Sequence, residues 1–114
     1  MQLSIIVPTF NEAPNVAELV RRVSAETAGM DAELIFVDDS TDATPEVVRE
    51  VAASAGMPVR LIHRDHRSGG LGGAVLEGIA AAGADACLVM DGDLLFPAAA
   101  TPEIYARFAE GDVD

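Results

Sequence analysis

The chain has 114 residues, half of them apolar, and its nineteen acidic residues against seven arginines give a formal net charge of −12. The length fits one domain with a modest hydrophobic core. A chain this acidic, without a single lysine, lacks the basic surface that binds nucleic acid, and an anionic membrane surface would repel it. Its single cysteine, Cys87, excludes a disulfide scaffold. The single cysteine favours the reducing cytoplasm. We also expect a soluble domain, since no apolar run approaches the roughly 18 residues of a membrane span.

The first third of the chain predicts a strand, a helix and a second strand. Residues Leu3–Val7 form a short apolar run that stops at Pro8, which is typical of a buried strand. A helix is expected from Pro14, a residue that the first helical turn tolerates, to near Gly29. A second apolar run, Glu33–Val37, predicts the next strand. The apolar residues of the helix recur at helical spacing, at Val16, Leu19, Val20 and Val23.

The middle of the chain repeats this alternation. Thr44 is the expected N-cap of a second helix, with Pro45 at the first helical position. The run Val59–His63 predicts a third strand, and the glycine-rich segment Gly69–Gly73 opens a third helix. The apolar positions of these two helices are Val47, Val48 and Val51, and then Leu71, Val75, Leu76 and Ile79.

The last third predicts a fourth strand, Ala86–Met90, and a short final helix, Pro102–Phe108. Strands that alternate with helices predict an α/β fold, here a Rossmann-like parallel sheet with helices on both faces and right-handed crossovers. Ligands of such sheets bind beyond the carboxyl ends of the strands. The segments that follow each strand are therefore the candidates for function.

The first two of these segments carry short polar side chains. After the first strand, the turn from Pro8 to Glu12 can face a ligand near a helix N-terminus, although a plain strand-to-helix turn explains it too. After the second strand, Asp38 and Asp39 could accept hydrogen bonds from a base or a ribose. Turn formation explains the polar residues that follow them, but not two adjacent, mutually repelling aspartates. For one of the two, a functional and a structural role remain equally good explanations.

The third segment is locally basic in an acidic protein. Arg64, His66 and Arg67 precede the glycine-rich helix start, where backbone N–H groups could hold a diphosphate. The glycine pattern is a poor match to the dinucleotide-binding motif. A solvated loop is the alternative explanation for each of these three side chains.

The fourth segment, Asp91-Gly92-Asp93, follows the last predicted strand. Two carboxylates two residues apart can share a hard divalent cation, which can also take diphosphate oxygens. A polar turn is the alternative, but carboxylates placed at a sheet edge without a counter-charge are costly. We therefore predict a metal site at Asp91 and Asp93.

Four segments follow one another along the chain, namely Ser4–Glu12, Phe36–Thr44, Gly70–Ala74 and Val89–Leu94. Together they resemble the inverting glycosyltransferases of the GT-A fold, and most of all the dolichyl- or polyprenyl-phosphate mannosyltransferase group. The resemblance covers essentially all of the chain but only the donor-binding half of that family's domain. It implies that residues 1–114 form a single N-terminal nucleotide-sugar-binding domain whose acceptor-side portion is missing.

The resemblance also implies roles for matching positions. Asp39 would contact the base, and Asp91 and Asp93 match the D-x-D element that holds Mg²⁺ or Mn²⁺ against the diphosphate. Asp93 is thereby the expected catalytic residue. The positions that would hold the nucleotide are Pro8, Phe10, Glu12, Val37, Asp39 and Gly92.

Three positions depart from the family pattern. Phe10 stands where tyrosine is frequent, which keeps the ring and loses a hydroxyl. Leu95 stands where a glutamine often completes the surroundings of the metal. Gly69 replaces a residue that is frequently basic, which leaves Arg64 or Arg67 to supply positive charge, and Arg67 is the one assigned to the nucleotide.

The expected function is that of a glycosyltransferase that moves a hexose, mannose in the group it resembles, from a nucleotide diphosphate sugar to a polyprenyl phosphate. Such an enzyme would act in the cytoplasm, at the inner face of the membrane. A phosphate acceptor is already anionic and needs no general base. One alternative is a non-catalytic nucleotide-sugar-binding module or a truncated remnant. A phosphoacceptor receiver domain ranks below both, because it would need its acidic pair after the first strand, where this chain has Pro8 and Thr9.

Overall fold

The computed structural model describes residues 2–11, 13–64 and 70–90. Strands and helices alternate through this part of the chain, as the apolar runs predict. The predicted helix Pro102–Phe108 lies outside the described residues. The elements are β1 (Leu3–Thr9), α1 (Ala13–Glu26), β2 (Ala32–Asp38), α2 (Thr44–Ala52), β3 (Val59–His63), α3 (Gly70–Ala81) and β4 (Cys87–Val89).

The four strands form one parallel sheet in the order β3-β2-β1-β4. The chain moves outward from β1 to β3 and then returns through α3 to the other side of β1. Because crossovers in parallel sheets are right-handed, this reversal places α3 on the face opposite α1 and α2. The predicted Rossmann-like sheet with helices on both faces is confirmed.

The larger part of the core lies between the sheet and the helices α1 and α2. The four predicted apolar positions of α1 are all buried there, and so is Val48 of α2. Full burial of one such aliphatic side chain contributes about 1.5–3 kcal/mol. The sheet residues of this cluster are Leu3, Ile5, Val7, Ala32, Leu34, Phe36, Leu88 and Met90.

Helix α3 packs on the other face through small residues. Ala74 is buried there with Ile6, Ile35 and Val37, and a Cβ atom added to Gly78 would lie 2.5 Å from Cγ2 of Ile6. The backbone of α3 therefore comes very close to the sheet.

The bulky apolar residues of α3 are only partly used in this packing. Leu76 is 69% exposed and Ile79 is 45% exposed. The periodic apolar positions of this helix thus do not mark the face that contacts the sheet. Among the described residues, no helix is long and apolar enough to cross a bilayer.

A buried carboxylate, Glu33, ties the turn after α3 to the sheet. It accepts hydrogen bonds from the hydroxyl of Ser4 (2.6 Å), the backbone N–H of Gly83 (2.7 Å) and Nε of Arg60 (3.1 Å). Burial alone would raise the pKa of Glu33, but these hydrogen bonds and the Arg60 charge outweigh burial and lower that pKa. Burial and the Glu33 charge raise the pKa of Cys87, which suits a structural thiol.

Two local predictions are corrected by the structure. Pro8 does not end β1, which continues to Thr9 and pairs Pro8 with Val37. The backbone groups of Ser4 and Ile6 point toward β4, and Pro8 continues that series. The β1–β4 pairing ends at Ile6 within the described residues, so the N–H that proline lacks falls past this ladder.

The start of α2 also differs from the prediction. Ala43 is its N-cap, and Thr44 is already helical. Asp42 takes over the capping of Thr44, because its carboxylate accepts hydrogen bonds from both the backbone N–H and the hydroxyl of Thr44. The threonine hydroxyl is therefore a donor to the neighbouring loop.

Candidate functional site

The carboxyl ends of β1, β2 and β3 meet at one edge of the sheet. Thr9 pairs with Asp38, and Asp38 pairs with His63, so these three strand-end residues lie side by side. The loops that follow them are therefore close together, although their residues are far apart in sequence. This edge also adjoins β1, from which the strand order reverses, and such a position is the usual ligand crevice of an open α/β sheet.

Asp38 is fully buried at this edge and contacts other residues of the protein. Its carboxylate accepts hydrogen bonds from the hydroxyl of Thr9 (2.6 Å), from the backbone N–H of Ser40 (3.2 Å) and from the Ser40 hydroxyl. Nδ1 of His63 lies 3.0 Å from Oδ2, the oxygen that also accepts from the Ser40 backbone N–H. A carboxylate with this many donors, away from solvent, holds the strand ends in place. The structure thus gives Asp38 the structural role.

Asp39 points the other way and forms an ion pair with Arg64. Nε and Nη2 of Arg64 donate to the two carboxylate oxygens of Asp39 at 2.6 and 2.7 Å. The Arg64 side chain is 3% exposed and that of Asp39 is 11% exposed. The hydrogen bonds with Asp39 raise the pKa of Arg64 above its ordinary value. The pair is a two-point fork, the geometry in which an arginine orients a carboxylate most tightly.

The repulsion between the two adjacent aspartates is therefore compensated by the hydrogen-bond donors around each carboxylate. Successive residues at a strand end point to opposite sides, and each carboxylate has its own donors. His63 and Arg64, which supply part of these donors, are likewise consecutive residues at the end of β3. Two consecutive residues at the end of β3 thus contact the carboxylates of two consecutive residues at the end of β2.

Asn11 connects the loops that follow β1 and β2. Its backbone N–H donates to Oγ of Ser40 at 2.7 Å, and its side-chain oxygen accepts from the backbone N–H of Thr41 at 3.1 Å. Asn11 has a φ of 55°, a left-handed conformation that asparagine tolerates better than most residues. The sequence did not predict this role, and an asparagine two residues after the end of β1 is the signal that could have suggested it.

Three further positions predicted to hold a nucleotide differ in how they present themselves. Phe10 lies beside the strand ends and is 46% exposed. Pro8 is half-buried. Val37 is fully buried beneath Gly78, so its side chain can shape the edge only from within.

The remaining predicted site residues lie outside the described residues. These are Glu12, Arg67, Asp91, Gly92 and Asp93. Met90, the residue before Asp91, is buried and donates its backbone N–H to the carbonyl of Ile6 at 2.9 Å. The described part of the chain holds no group of three or more metal-binding side chains.

Comparison with known proteins gives the chain its place. The sequence profile of glycosyl transferase family 2 matches residues 4–114. The chain belongs to glycosyl transferase family 2. The resemblance seen in the four motifs is thereby confirmed, and the family is one of glycosyltransferases.

Two relatives are identical to this family 2 chain at about a third of the aligned positions. It is 37% identical over 112 residues to a dolichol-phosphate mannosyltransferase of Pyrococcus furiosus, and the aligned region covers 97% of the chain and 31% of that protein. It is 34% identical over 117 residues to a dodecaprenyl-phosphate galacturonate synthase of Rhizobium johnstonii, with 100% and 34% covered. The chain thus spans about a third of the length of these relatives.

A solved structure shows the same fold. The crystal structure of S. aureus TarS in complex with UDP matches this family 2 chain with a TM-score of 0.76 and 25% sequence identity. The match covers 96% of the chain and 32% of the TarS chain. The GT-A fold predicted from the sequence is confirmed.

Proposed function

We propose that the chain is the nucleotide-sugar-binding domain of a glycosyltransferase that moves a hexose from a nucleotide diphosphate sugar to a polyprenyl phosphate. The observation that carries this proposal is Asp39, a carboxylate held by a buried arginine in the crevice beside β1. The names of the two relatives, both transferases or synthases of a polyprenyl-phosphate sugar, support the acceptor class. The UDP bound to TarS supports the donor class.

The described residues suit the base of a nucleotide. The Asp39 carboxylate can accept hydrogen bonds from ring N–H groups, which a base presents along its edge. The exposed ring of Phe10 offers a face on which a base can stack. Glu12, Arg67 and Gly92 complete the nucleotide site in this proposal, with Arg67 on the diphosphate.

The metal site belongs to the same proposal. Met90 is anchored to Ile6, so the chain leaves β4 beside the crevice immediately before Asp91. Two carboxylates, those of Asp91 and Asp93, are hard oxygen ligands that fit Mg²⁺ or Mn²⁺. When bound, such an ion supplies positive charge against the negative charge that develops on the leaving diphosphate. Asp93 would serve catalysis by holding it.

The acceptor side of the reaction needs little acid–base chemistry. A polyprenyl phosphate is an anionic nucleophile, so no side chain has to remove a proton from it. This chain's own contribution is to bind and orient the donor. Because a polyprenyl chain resides in the bilayer, we place the reaction at the inner face of the membrane.

Calorimetric titration tests the donor and metal assignments together. UDP, GDP and their hexose derivatives are titrated into the chain with and without Mn²⁺, and the series is repeated with Asp93→Ala. Asp85→Ala is the matched control, an exposed aspartate before the other end of β4. We expect Mn²⁺-dependent binding that Asp93→Ala loses and Asp85→Ala keeps. Equal binding by wild type and Asp93→Ala would overturn the metal assignment.

A product assay then tests the transfer itself. The same donors are incubated with an undecaprenyl phosphate and Mn²⁺, and the lipid-linked sugar is measured. Product formation supports the proposal. Donor binding without any product would favour the alternative, a non-catalytic nucleotide-sugar-binding module.

A further inference from the structure

Arg64 joins three parts of the candidate site. Besides its two bonds to Asp39, Nη2 donates to the carbonyl of Gly70 at 3.1 Å, and Nη1 lies 3.5 Å from Glu77. We propose that Arg64 is a positioning residue for the nucleotide base, which acts by fixing the Asp39 carboxylate and the start of α3. The inference rests on the proposed nucleotide site.

The fork geometry explains why Asp39 needs such a partner. Asp39 follows the last residue of β2, and its carboxylate could rotate if only solvent surrounded it. Two parallel hydrogen bonds from a planar guanidinium fix both the position and the plane of the carboxylate. Each carboxylate oxygen has two lone pairs, so an oxygen that accepts from Arg64 can accept from a second donor. The carboxylate is thereby oriented before the base arrives.

The contact with Gly70 extends this effect to the glycine-rich helix start. Gly70 has a φ of 57°, a conformation that suits glycine, and its carbonyl points to the guanidinium. The same side chain thus holds Asp39 on one side of the crevice and the first residue of α3 on the other. A change at Arg64 should be felt at both places.

The charge of Arg64 is matched by carboxylates of the protein. Asp39 accepts two hydrogen bonds from it, Glu77 lies nearby, and the side chain is almost fully buried. The sequence left Arg64 and Arg67 as alternatives for contact with the diphosphate. The geometry points to a division of roles, in which Arg64 orients the base site and the diphosphate is left to Arg67.

The chain contains a control arginine with the same kinds of partners, whose side chain is 48% exposed against 3% for Arg64. Arg60, in β3, also pairs with a carboxylate of the neighbouring strand, Glu33, and also donates to a carbonyl of α3, that of Ala81. It does so at the amino end of the sheet, away from the candidate site. Arg60→Gln therefore removes the same kinds of interaction as Arg64→Gln without touching the crevice.

The first experiment compares nucleotide affinities. UDP and GDP are titrated in the presence of Mn²⁺ into wild type, Arg64→Gln, Arg64→Lys and Arg60→Gln, and the fold of each variant is checked by circular dichroism. For the nucleotide that wild type binds, we expect Arg64→Gln to raise Kd about ten- to a hundredfold, the range for loss of charge-assisted hydrogen bonds. Arg64→Lys should recover part of this loss, because lysine restores the charge but not the fork. Arg60→Gln should leave Kd unchanged.

The second experiment separates positioning from direct phosphate contact. If Arg64 acts on the base through Asp39, Arg64→Gln raises the Kd of the nucleoside monophosphate and that of the nucleoside diphosphate by the same factor. In the double variant with Asp39→Asn, the loss should then be no greater than that of Asp39→Asn alone. A loss that is larger for the diphosphate, or additive losses in the double variant, would overturn the positioning role.

The outcomes distinguish the two proposals. If wild type binds neither UDP nor GDP, the proposed nucleotide site fails, and the role of Arg64 fails with it. If wild type binds and both Arg64 variants bind equally well, the site stands and the inference about Arg64 is overturned. Should Arg64→Gln fail to fold, Arg64→Lys carries the comparison, because it retains the buried charge.

Discussion

The close contact between α3 and the sheet can be tested by replacing Gly78 with alanine. The new Cβ would lie 2.5 Å from Cγ2 and 2.9 Å from Cγ1 of Ile6, and 3.1 Å from Cγ2 of Val37. Ile6 and Val37 are fully buried in the central strands, so they cannot move outward. Either Ile6 must change its rotamer or α3 must move away from the sheet.

Two opposing effects determine the size of the change. Alanine in place of glycine within a helix gains about 1 kcal/mol of helix propensity. Overpacking of a well-packed core costs about 1–3 kcal/mol, and the 2.5 Å contact favours the upper part of that range. We therefore expect Gly78→Ala to lose about 1–2 kcal/mol of unfolding free energy.

Gly72→Ala is the control, because it lies in the same helix and its added Cβ would meet no atom of the described residues within 4 Å. It should gain about 0.5–1 kcal/mol from propensity alone. Urea unfolding of both variants, followed by far-ultraviolet circular dichroism, measures the difference. If Gly78→Ala were as stable as Gly72→Ala, the close packing of α3 on Ile6 would be refuted.

Three further predictions concern the polar groups that hold the loops and strands. Glu33 has a lowered pKa in the folded state, so its stabilisation is present above its ordinary pKa of 4.5 and is lost as the pH falls through the folded value. Glu33→Gln should therefore flatten the acid branch of the stability curve, and an unchanged acid branch would contradict this. Asp38→Asn should cost about 2 kcal/mol in urea unfolding, because an amide cannot accept all the hydrogen bonds that the buried carboxylate accepts. Asn11→Ala should unfold at lower urea concentration than Asn11→Gly, since alanine at a φ of 55° costs about 1–2 kcal/mol and glycine does not; equal midpoints would argue against the strained conformation.

Much of the fold could be predicted because burial in this protein follows simple patterns. The apolar runs of the central strands and the four apolar positions of α1 identify their partners through spacing alone. Helix α3 escapes this logic. Apart from Glu77 it consists of apolar and small residues, so its spacing could not tell that Ala74 and Gly78 face the sheet while Leu76 is exposed.

The candidate site was predictable in its location but not in its pairing. A parallel sheet brings its strand ends together, so the polar residues after β1 and β2 had to meet. The roles of Asp38 and Asp39 depend on partners far along the chain. His63 contacts Asp38, and Arg64 donates to Asp39. No local pattern in the sequence encodes those distances.

Arg60 and Arg64, in and directly after β3, also hold the two ends of α3. Arg64 holds the carbonyl of Gly70 at the first residue of the helix, and Arg60 holds that of Ala81 at the last, about 16.5 Å apart at 1.5 Å per residue. Between them, a face of small residues offers few projections that would resist sliding. With both ends held in this way, the glycine-rich end of α3 that borders the crevice keeps a fixed position relative to β3.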